Sequence, residues 1–139
     1  MTIRYAEPAD FPRLIDMGCR FLTETSYSRF ITPDREAMSK TIEKIRVGVM
    51  EQDERIVGMI GFIVYPHPLS GEMVSGEVMW WVEPEMRGKG IKLLRWAENE
   101  ARQAGARLIQ MIAPDIRVGS LYRRLGYSEV ETTYQRRLA

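Results

Sequence analysis

The spacing of apolar residues changes along the chain, and each spacing predicts one element of secondary structure. Alternation at residues 2–6 predicts a strand, and a helical repeat after Pro8 predicts a first helix that ends near residue 25. The apolar face of that helix carries Phe11, Leu14, Ile15, Gly18, Cys19 and Leu22. Residues 24–32 show no clear period and predict a loop with exposed side chains. Pro33 and Asp34 begin a second predicted helix, whose apolar positions are Ala37, Met38, Ile42 and Ile45.

The middle of the chain predicts three strands in succession. Residues 47–51 and 55–65 flank a polar triplet, which is typical of a hairpin turn. After a Pro- and Gly-containing break, residues 73–82 alternate in a way that assigns side chains to two faces. One face carries Glu77, Met79 and Trp81, and the other carries Val78, Trp80 and Val82. Because both faces are mostly apolar, this strand is predicted to be central in its sheet.

The last part of the chain predicts a crossover and a closing strand. After a loop at residues 83–90, a strong helix is predicted, with Gly105 at its C′ position. Its apolar face carries Ile91, Leu94, Ala97, Ala101 and Ala104. Residues 107–113 predict a buried strand, 116–125 a helix stopped by Gly126, and 127–138 two final strands or one bent strand. This order predicts one mixed α/β domain over residues 1–139, with a meander and one βαβ crossover.

Composition narrows the classes of function. The 20 Lys and Arg residues nearly balance the 19 Asp and Glu residues, so no field of one sign favours nucleic acid or an anionic membrane as the main partner. The single cysteine, Cys19, allows no intrachain disulfide, and its simplest interpretation is a small buried side chain. With His67 it provides the only soft ligands, so no metal site is expected. The N-terminal residues lack the apolar core of a secretory signal, and no apolar run approaches the ~18 residues of a membrane span, which predicts a cytoplasmic protein.

A basic, glycine-containing loop follows the central strand and opens a helix. The first-turn N–H groups of such a helix lack intrahelical partners, and glycines let an anion approach the backbone closely. Arg87 and Lys89 add positive charge beside Gly88 and Gly90, so the loop predicts a site for a phosphorylated ligand. A plain strand-to-helix turn with a solvated basic flank is the alternative. The spacing is not that of a P-loop, and the dinucleotide fingerprint would require a glycine at Leu93.

Two motifs resemble the GNAT superfamily of acyl-CoA-dependent N-acyltransferases. The superfamily's phosphate motif, [QR]-x-x-G-x-[GA], is matched by Arg87 and Gly90, with Lys92 where Gly or Ala is usual. Residues 120–127, Ser-Leu-Tyr-Arg-Arg-Leu-Gly-Tyr, are similar to a later helix and its Y-x-x-x-G-[FY] ending. Asp115 stands where Asn is common. Because both motifs occur in order on the expected elements, the resemblance extends over the whole chain.

The resemblance implies a fold and a cosubstrate. The expected fold is a central, mostly antiparallel sheet, splayed between the fourth and fifth strands and flanked by helices. The cosubstrate is acetyl-CoA, whose pantetheine arm would pair with the backbone near Trp81 and Val82. Its pyrophosphate would bind beside Arg87, at the backbone of Gly88, Lys89, Gly90, Ile91, Lys92 and Leu93. Many members form dimers, so a homodimer is compatible with the resemblance.

Two residues are candidates for the chemistry of acyl transfer. Tyr122 aligns with the family's tyrosine near the sulfur and would protonate the departing thiolate; the alternative is a packing residue. Glu77 is the only carboxylate in the middle of an apolar strand, where burial would raise its pKa toward that of a general base for the amine. There are two alternatives for Glu77: a solvated carboxylate at the end of the strand, or a carboxylate that only binds a cationic acceptor.

The acceptor is expected to contact the loop between the first two helices and the final strands. The candidate residues are Tyr27, Arg29 and Phe30, with Tyr134. They suit a small amine or a peptide terminus, and Arg29 would suit a carboxylate. At most one of Trp80 and Trp81 is expected to line the acceptor channel. The function predicted is direct acetyl transfer to a primary amine; the alternatives are a noncatalytic acyl-CoA-binding module and a protein-interaction domain with the same fold.

Overall fold

A five-stranded sheet forms the centre of the computed structural model, which describes residues 1–139. The strands are β1 (Thr2–Tyr5), β2 (Arg46–Gln52), β3 (Arg55–Pro66), β4 (Met73–Val82) and β5 (Leu108–Gln110). The helices are α1 (Phe11–Thr23), α2 (Arg35–Lys44), α3 (Gly90–Gln103) and α4 (Ile116–Arg124), with short 3-10 helices at Pro8–Asp10, Ser26–Arg29 and Pro84–Met86. The strand order is β1-β2-β3-β4-β5; β1 to β4 are antiparallel, and β5 runs parallel to β4. The predicted mixed α/β fold is therefore confirmed.

Two hydrophobic clusters show how the helices bury the sheet. One contains residues of α1 and α2, and the other contains residues of α3 with Tyr122 of α4. Strand β4 contributes Met79 and Trp81 to the first and Val82 to the second, which confirms that both of its faces are apolar. In α1 the buried residues are Leu14, Met17 and Phe21, so the predicted apolar face was wrong in part. No helix combines the length and the hydropathy that crossing a membrane requires.

The hairpin between β2 and β3 is confirmed, with a turn of two residues. Gln52 pairs with Arg55, and between them Asp53 and Glu54 have φ angles of 51° and 61°. Two consecutive residues in the left-handed region match the twist of a hairpin, although Asn-Gly is the usual choice there.

The sheet opens between β4 and β5, as expected. The two strands pair only through Val74–Gly76 and Leu108–Gln110, so the second half of β4 has no partner on this side. The predicted buried strand at residues 107–113 was wrong in length and in burial. Strand β5 has three residues, and the Leu108 side chain is 52% exposed because it lies on the outermost strand.

The final strands predicted over residues 127–138 are not formed. Residues 128–139 have no regular secondary structure, and the apolar side chains of Val130, Tyr134 and Leu138 are exposed. A strand needs a neighbouring edge with which to pair, and the three residues of β5 offer a very short one.

Candidate functional site

A β-bulge in β4 interrupts the regular alternation of side chains at Glu77. Gly61 of β3 pairs with Met79, but the next residue, Phe62, pairs with Glu77, so Val78 is an extra residue in β4. A bulge breaks the two-residue alternation and changes the direction of a side chain. The face predicted to be shared by Glu77 and Met79 is therefore interrupted. The bulge lies next to Gly76, where β5 stops pairing with β4.

The Glu77 carboxylate lies at the apex of the opening between β4 and β5. The backbone N–H of Ile112, two residues beyond β5, donates to Glu77 Oε1 at 2.8 Å. Burial raises the pKa of Glu77 to about 7, while the hydrogen bond from the Ile112 N–H opposes the shift by favouring the charged form. Glu77 therefore exchanges a proton near neutral pH.

Tyr122 of α4 is anchored to the same residue. Its hydroxyl donates to the carbonyl oxygen of Ile112 at 3.1 Å, and its side chain is buried. Burial raises the pKa of Tyr122, and the nearby Glu77 charge raises it further, so the phenol keeps its proton at neutral pH. Ile112 thus holds both groups, through its N–H and through its carbonyl oxygen. The ring of Tyr122 also stacks on Trp80, with 6.0 Å between ring centroids.

The start of α4 explains the aspartate at position 115. The Asp115 side chain accepts a hydrogen bond from Val118 N at 2.9 Å and caps the helix. Asp and Asn are about equally good at this position, so the departure from the family pattern preserves the cap that sets the direction of the Tyr122 helix.

The loop before α3 presents three backbone N–H groups without an acceptor in the protein. Those of Gly88, Gly90 and Ile91 make no intramolecular hydrogen bond, whereas Lys89 N donates to Met86 O at 3.0 Å. The three groups, called the amide cradle below, lie at the positive end of the α3 dipole. Three exposed cations without an ion-pair partner flank the cradle: Arg87, Lys89 and Lys92.

The two glycines of the cradle are required for different reasons. Gly88 has a φ angle of +76° and open space around it. Gly90 is buried, and a Cβ there would lie 2.8 Å from Val82 Cγ2. Gly90 therefore allows α3 to pack against β4, and Gly88 allows the turn that precedes the helix.

The side chains of three other predicted cofactor-binding residues are buried, so only their backbones are available to a ligand. Trp81 lies in the cluster with α1 and α2, while Val82 and Leu93 lie in the cluster with α3. Trp81 and Val82 occupy the end of β4 that has no partner on the β5 side.

The opposite side of the opening is bounded by the 3-10 helix Ser26–Arg29. Ser26 Oγ donates to the carbonyl oxygen of Pro114 at 2.9 Å, which ties this helix to the loop between β5 and α4. Tyr27 is half-buried against Phe21, and its pKa is raised by burial and by the Glu77 charge. Tyr27 therefore lies close enough to Glu77 for the carboxylate charge to affect its pKa.

An open pocket of about 420 Å³ begins one turn beyond Tyr27. It is lined by Phe30 and Ile31 and by residues 134–138, including Tyr134. The exposed Arg29 guanidinium lies 5.7 Å from the centre of the Phe30 ring. The structure thus brings Tyr27, Arg29 and Phe30 onto one segment and places Tyr134 opposite it.

Several residues have a simpler explanation in the structure. His67 Nδ1 accepts a hydrogen bond from Leu69 N at 3.1 Å and belongs to a turn. Cys19 is partly buried, with its sulfur 3.9 Å from that of Met38. No group of three His, Cys, Asp or Glu side chains is arranged to hold a metal ion. Sequence reasoning missed Ile112 because it acts through its backbone, which no side-chain motif reveals.

Comparisons with known proteins identify the relatives of this chain. Residues 15–127 match the family described as "Acetyltransferase (GNAT) family". The aminoalkylphosphonate N-acetyltransferase of Salmonella typhimurium is 30% identical over 112 residues, which cover 78% of this chain and 71% of that protein.

Solved structures show the same fold at lower identity. A transcriptional regulator from Bacillus halodurans has a TM-score of 0.78 at 22% identity and covers 99% of both chains. The ribosomal-protein-alanine N-acetyltransferase of Brucella melitensis has a TM-score of 0.73 at 19% identity, over 99% of this chain and 100% of that one.

Proposed function

The chain belongs to the acetyltransferase (GNAT) family, and we propose that it transfers the acetyl group of acetyl-CoA to a primary amine of a small molecule or peptide, by direct attack in a ternary complex. The observation that carries this proposal is the placement of Glu77 and Tyr122 on Ile112, at the apex of the sheet opening. A base with a pKa of about 7 and a protonated phenol are the two groups that acyl transfer to an amine requires.

The amide cradle and β4 together bind acetyl-CoA along its length. The pyrophosphate binds the free N–H groups of Gly88, Gly90 and Ile91, with Arg87, Lys89 and Lys92 beside it. From Val82, near the cradle, to Glu77 is five residues of strand, or about 17 Å, which the extended pantetheine arm bridges along Trp81 and Val82. The thioester then lies beside Glu77 and Tyr122.

Two protons leave the acceptor nitrogen during the reaction. The Glu77 carboxylate accepts a proton from the ammonium group of the acceptor, and the neutral amine attacks the thioester carbonyl carbon. The new C–N bond forms, the C–S bond breaks, and the departing thiolate takes the proton of the Tyr122 hydroxyl. Tyr122 regains a proton from the nitrogen that has been acylated, and Glu77 releases its proton to solvent. The products are the acetylated amine and free coenzyme A.

The acceptor side favours an amine that also carries an anionic group. Arg29 is exposed and has no ion-pair partner, and the acceptor contacts it together with Tyr27 and Phe30. A guanidinium binds a carboxylate or a phosphonate through paired hydrogen bonds. The name of the Salmonella relative refers to an aminoalkylphosphonate, so amines with a phosphonate or carboxylate belong first in a substrate panel.

A noncatalytic acyl-CoA-binding module is the second candidate, favoured by Lys92 at a position where the family usually has Gly or Ala. Thermal shift with acetyl-CoA and thiol release with an amine panel separate the two. Catalysis requires both stabilisation and amine-dependent thiol release, and Glu77→Gln is the matched control, because it preserves the shape of the site but not the base. Stabilisation without thiol release for any amine would favour the binding module, and no stabilisation would refute both.

A further inference from the structure

Glu83, the first residue of the loop after β4, is a buried carboxylate with two arginine partners. It is 2% exposed, and it accepts hydrogen bonds from Arg13 Nη2 at 2.8 Å and from Arg20 Nη1. Both arginines belong to α1, on the far side of β4 from α3. A buried charge is costly unless it is paired in this way, so the arrangement fixes the loop against α1.

A second set of contacts connects Arg20 to the other end of the loop, at Arg87. The guanidinium carbons of Arg20 and Arg87 lie 5.1 Å and 4.9 Å from the centre of the Trp81 indole ring. Arg87 Nε also donates to the carbonyl oxygen of Val82 at 3.2 Å. Arg20 therefore contacts Glu83 before the 3-10 helix Pro84–Met86 and shares the Trp81 ring with Arg87 after it.

The amide cradle begins immediately after these anchors. Gly88 has no atom within 4 Å of an added Cβ, and Arg87, Gly88 and Lys89 are all exposed. The cradle therefore has little packing of its own on its N-terminal side. A loop of this kind binds an anion tightly only if its backbone is already ordered, because ordering it on binding would reduce the affinity.

We propose that Arg20 and Glu83 are positioning residues that hold the amide cradle ready for the pyrophosphate of acetyl-CoA without touching it. The inference rests on the proposed function, since it assumes that acetyl-CoA binds at the cradle. Its consequence is specific: the two residues determine the affinity for acetyl-CoA and leave the chemical step at Glu77 unchanged.

The test compares two substitutions at Arg20. Arg20→Gln removes the ion pairs with Glu83 and Glu24 and the charge over Trp81, whereas Arg20→Lys keeps the charge but loses the planar guanidinium. We expect the Kd of acetyl-CoA from calorimetry, and its KM, to rise about 5- to 30-fold in Arg20→Gln and at least about threefold in Arg20→Lys. The kcat at saturating acetyl-CoA and its pH profile should stay within about twofold of the wild type.

Arg35→Gln is the matched control, because Arg35 also forms an ion pair with α1, through Asp16, but far from the cradle and exposed. It should leave the Kd unchanged. Wild-type affinity in Arg20→Lys combined with weaker binding in Arg20→Gln would show that charge alone matters and would overturn the proposal. A fall in kcat equal to the rise in KM would also overturn it.

Further measurements distinguish a failed positioning role from a misfolded variant and from a failed proposed function. If Arg20→Gln does not fold by circular dichroism, Arg20→Lys and Glu83→Gln carry the test; Glu83→Gln keeps the shape of the side chain and should raise the Kd as Arg20→Gln does. If the wild-type protein itself binds no acetyl-CoA, the proposed function fails, and the positioning role fails with it. Wild-type binding together with wild-type affinity in all three variants would refute the positioning role alone.

Discussion

Replacing Glu77 with Gln separates the catalytic role of this residue from its effect on stability. Gln has the same shape and keeps an oxygen that accepts the hydrogen bond from Ile112 N, which is 2.8 Å long in the wild type. What it loses is the charge and the capacity to accept a proton. Because burial raises the pKa of Glu77 to about 7, both consequences depend on pH in the neutral range.

The activity deficit of Glu77→Gln should be largest between neutral pH and the pKa of the amine. Near pH 8 we expect kcat/KM for the amine to fall by about 10²-fold, a typical contribution of a general base. At pH 6 only about a tenth of wild-type Glu77 is ionised, so the deficit should shrink to about tenfold. It should shrink again at high pH, where the amine loses its proton unaided.

The stability of Glu77→Gln should rise relative to the wild type, although its activity falls. The Glu77 carboxyl titrates at 4.5 in the unfolded chain and at about 7 in the folded protein, so between these values the folded protein binds more protons. The neutral Glu77 carboxyl therefore stabilises the folded protein fully below pH 4.5. This stabilisation is lost as the pH rises through about 7. The full difference is at most about 3 kcal/mol, so we expect Glu77→Gln to be more stable than the wild type by about 1 to 3 kcal/mol at pH 8.

Two assays check the Glu77 prediction. Thiol release across pH 5.5 to 9.5 gives the kcat/KM profile, and urea unfolding at pH 5 and pH 8 gives the stability difference. A deficit that does not vary with pH would assign Glu77 to acceptor binding or local structure. A variant that gains no stability relative to the wild type between pH 5 and pH 8 would show that Glu77 is not desolvated, which contradicts the reason for its raised pKa.

Three further substitutions test the other parts of the site. Tyr122→Phe should lower kcat by about 10- to 10³-fold and cost about 1 kcal/mol of stability through the lost bond to Ile112 O; wild-type turnover, with chemistry shown to limit the rate, would remove Tyr122 from the mechanism. Lys92→Ala should change the calorimetric Kd of acetyl-CoA by less than about tenfold, because the backbone donors dominate, and complete loss of binding would make the Lys92 ammonium a principal contact. Gly90→Ala should lower the melting temperature and cost about 1 to 3 kcal/mol, because its Cβ would lie 2.8 Å from Val82 Cγ2, and an unchanged melting temperature would contradict that packing.

The elements that carry strong local signals were predictable from the sequence. Strand β4 occupies residues 73–82, as predicted, because a break precedes it and a basic glycine loop follows it. Helix α3 begins at Gly90 and is followed by Gly105 at a φ angle of +98°, which confirms the predicted C′ glycine. These features depend on residues that are close together in the chain.

The features that were missed depend on contacts between distant segments. The bulge at Val78 is a matter of register between β3 and β4, where a Cβ on Gly61 would lie 2.4 Å from Met79 Sδ. The absent final strands reflect the short edge that β5 offers, although residues 127–138 contain residues suited to strands. Neither the register nor the available edge can be read from the local pattern alone.

For the site, the sequence indicated the residues but not their arrangement. Glu77 and Tyr122 were identified as candidates, and the structure brings them together on Ile112. Their catalytic roles, like the binding roles of the cradle and of Tyr27, Arg29 and Phe30, stay predictions until they are measured. The anchoring of Glu83 by α1 had no signature in the sequence, because Arg13 and Arg20 are 70 and 63 residues away from it.

Transfer of an isotopic label shows directly whether this protein moves the acetyl group of acetyl-CoA to an amine. The purified protein is incubated with acetyl-CoA labelled in its acetyl group, with and without a panel of amines that includes aminophosphonates and amino acids. We expect the label to appear in an amine, with one coenzyme A thiol released per label, and no label to remain on the protein. Label that stays in acetyl-CoA with every amine, or that accumulates on the protein, would contradict direct acetyl transfer at the Glu77 and Tyr122 site.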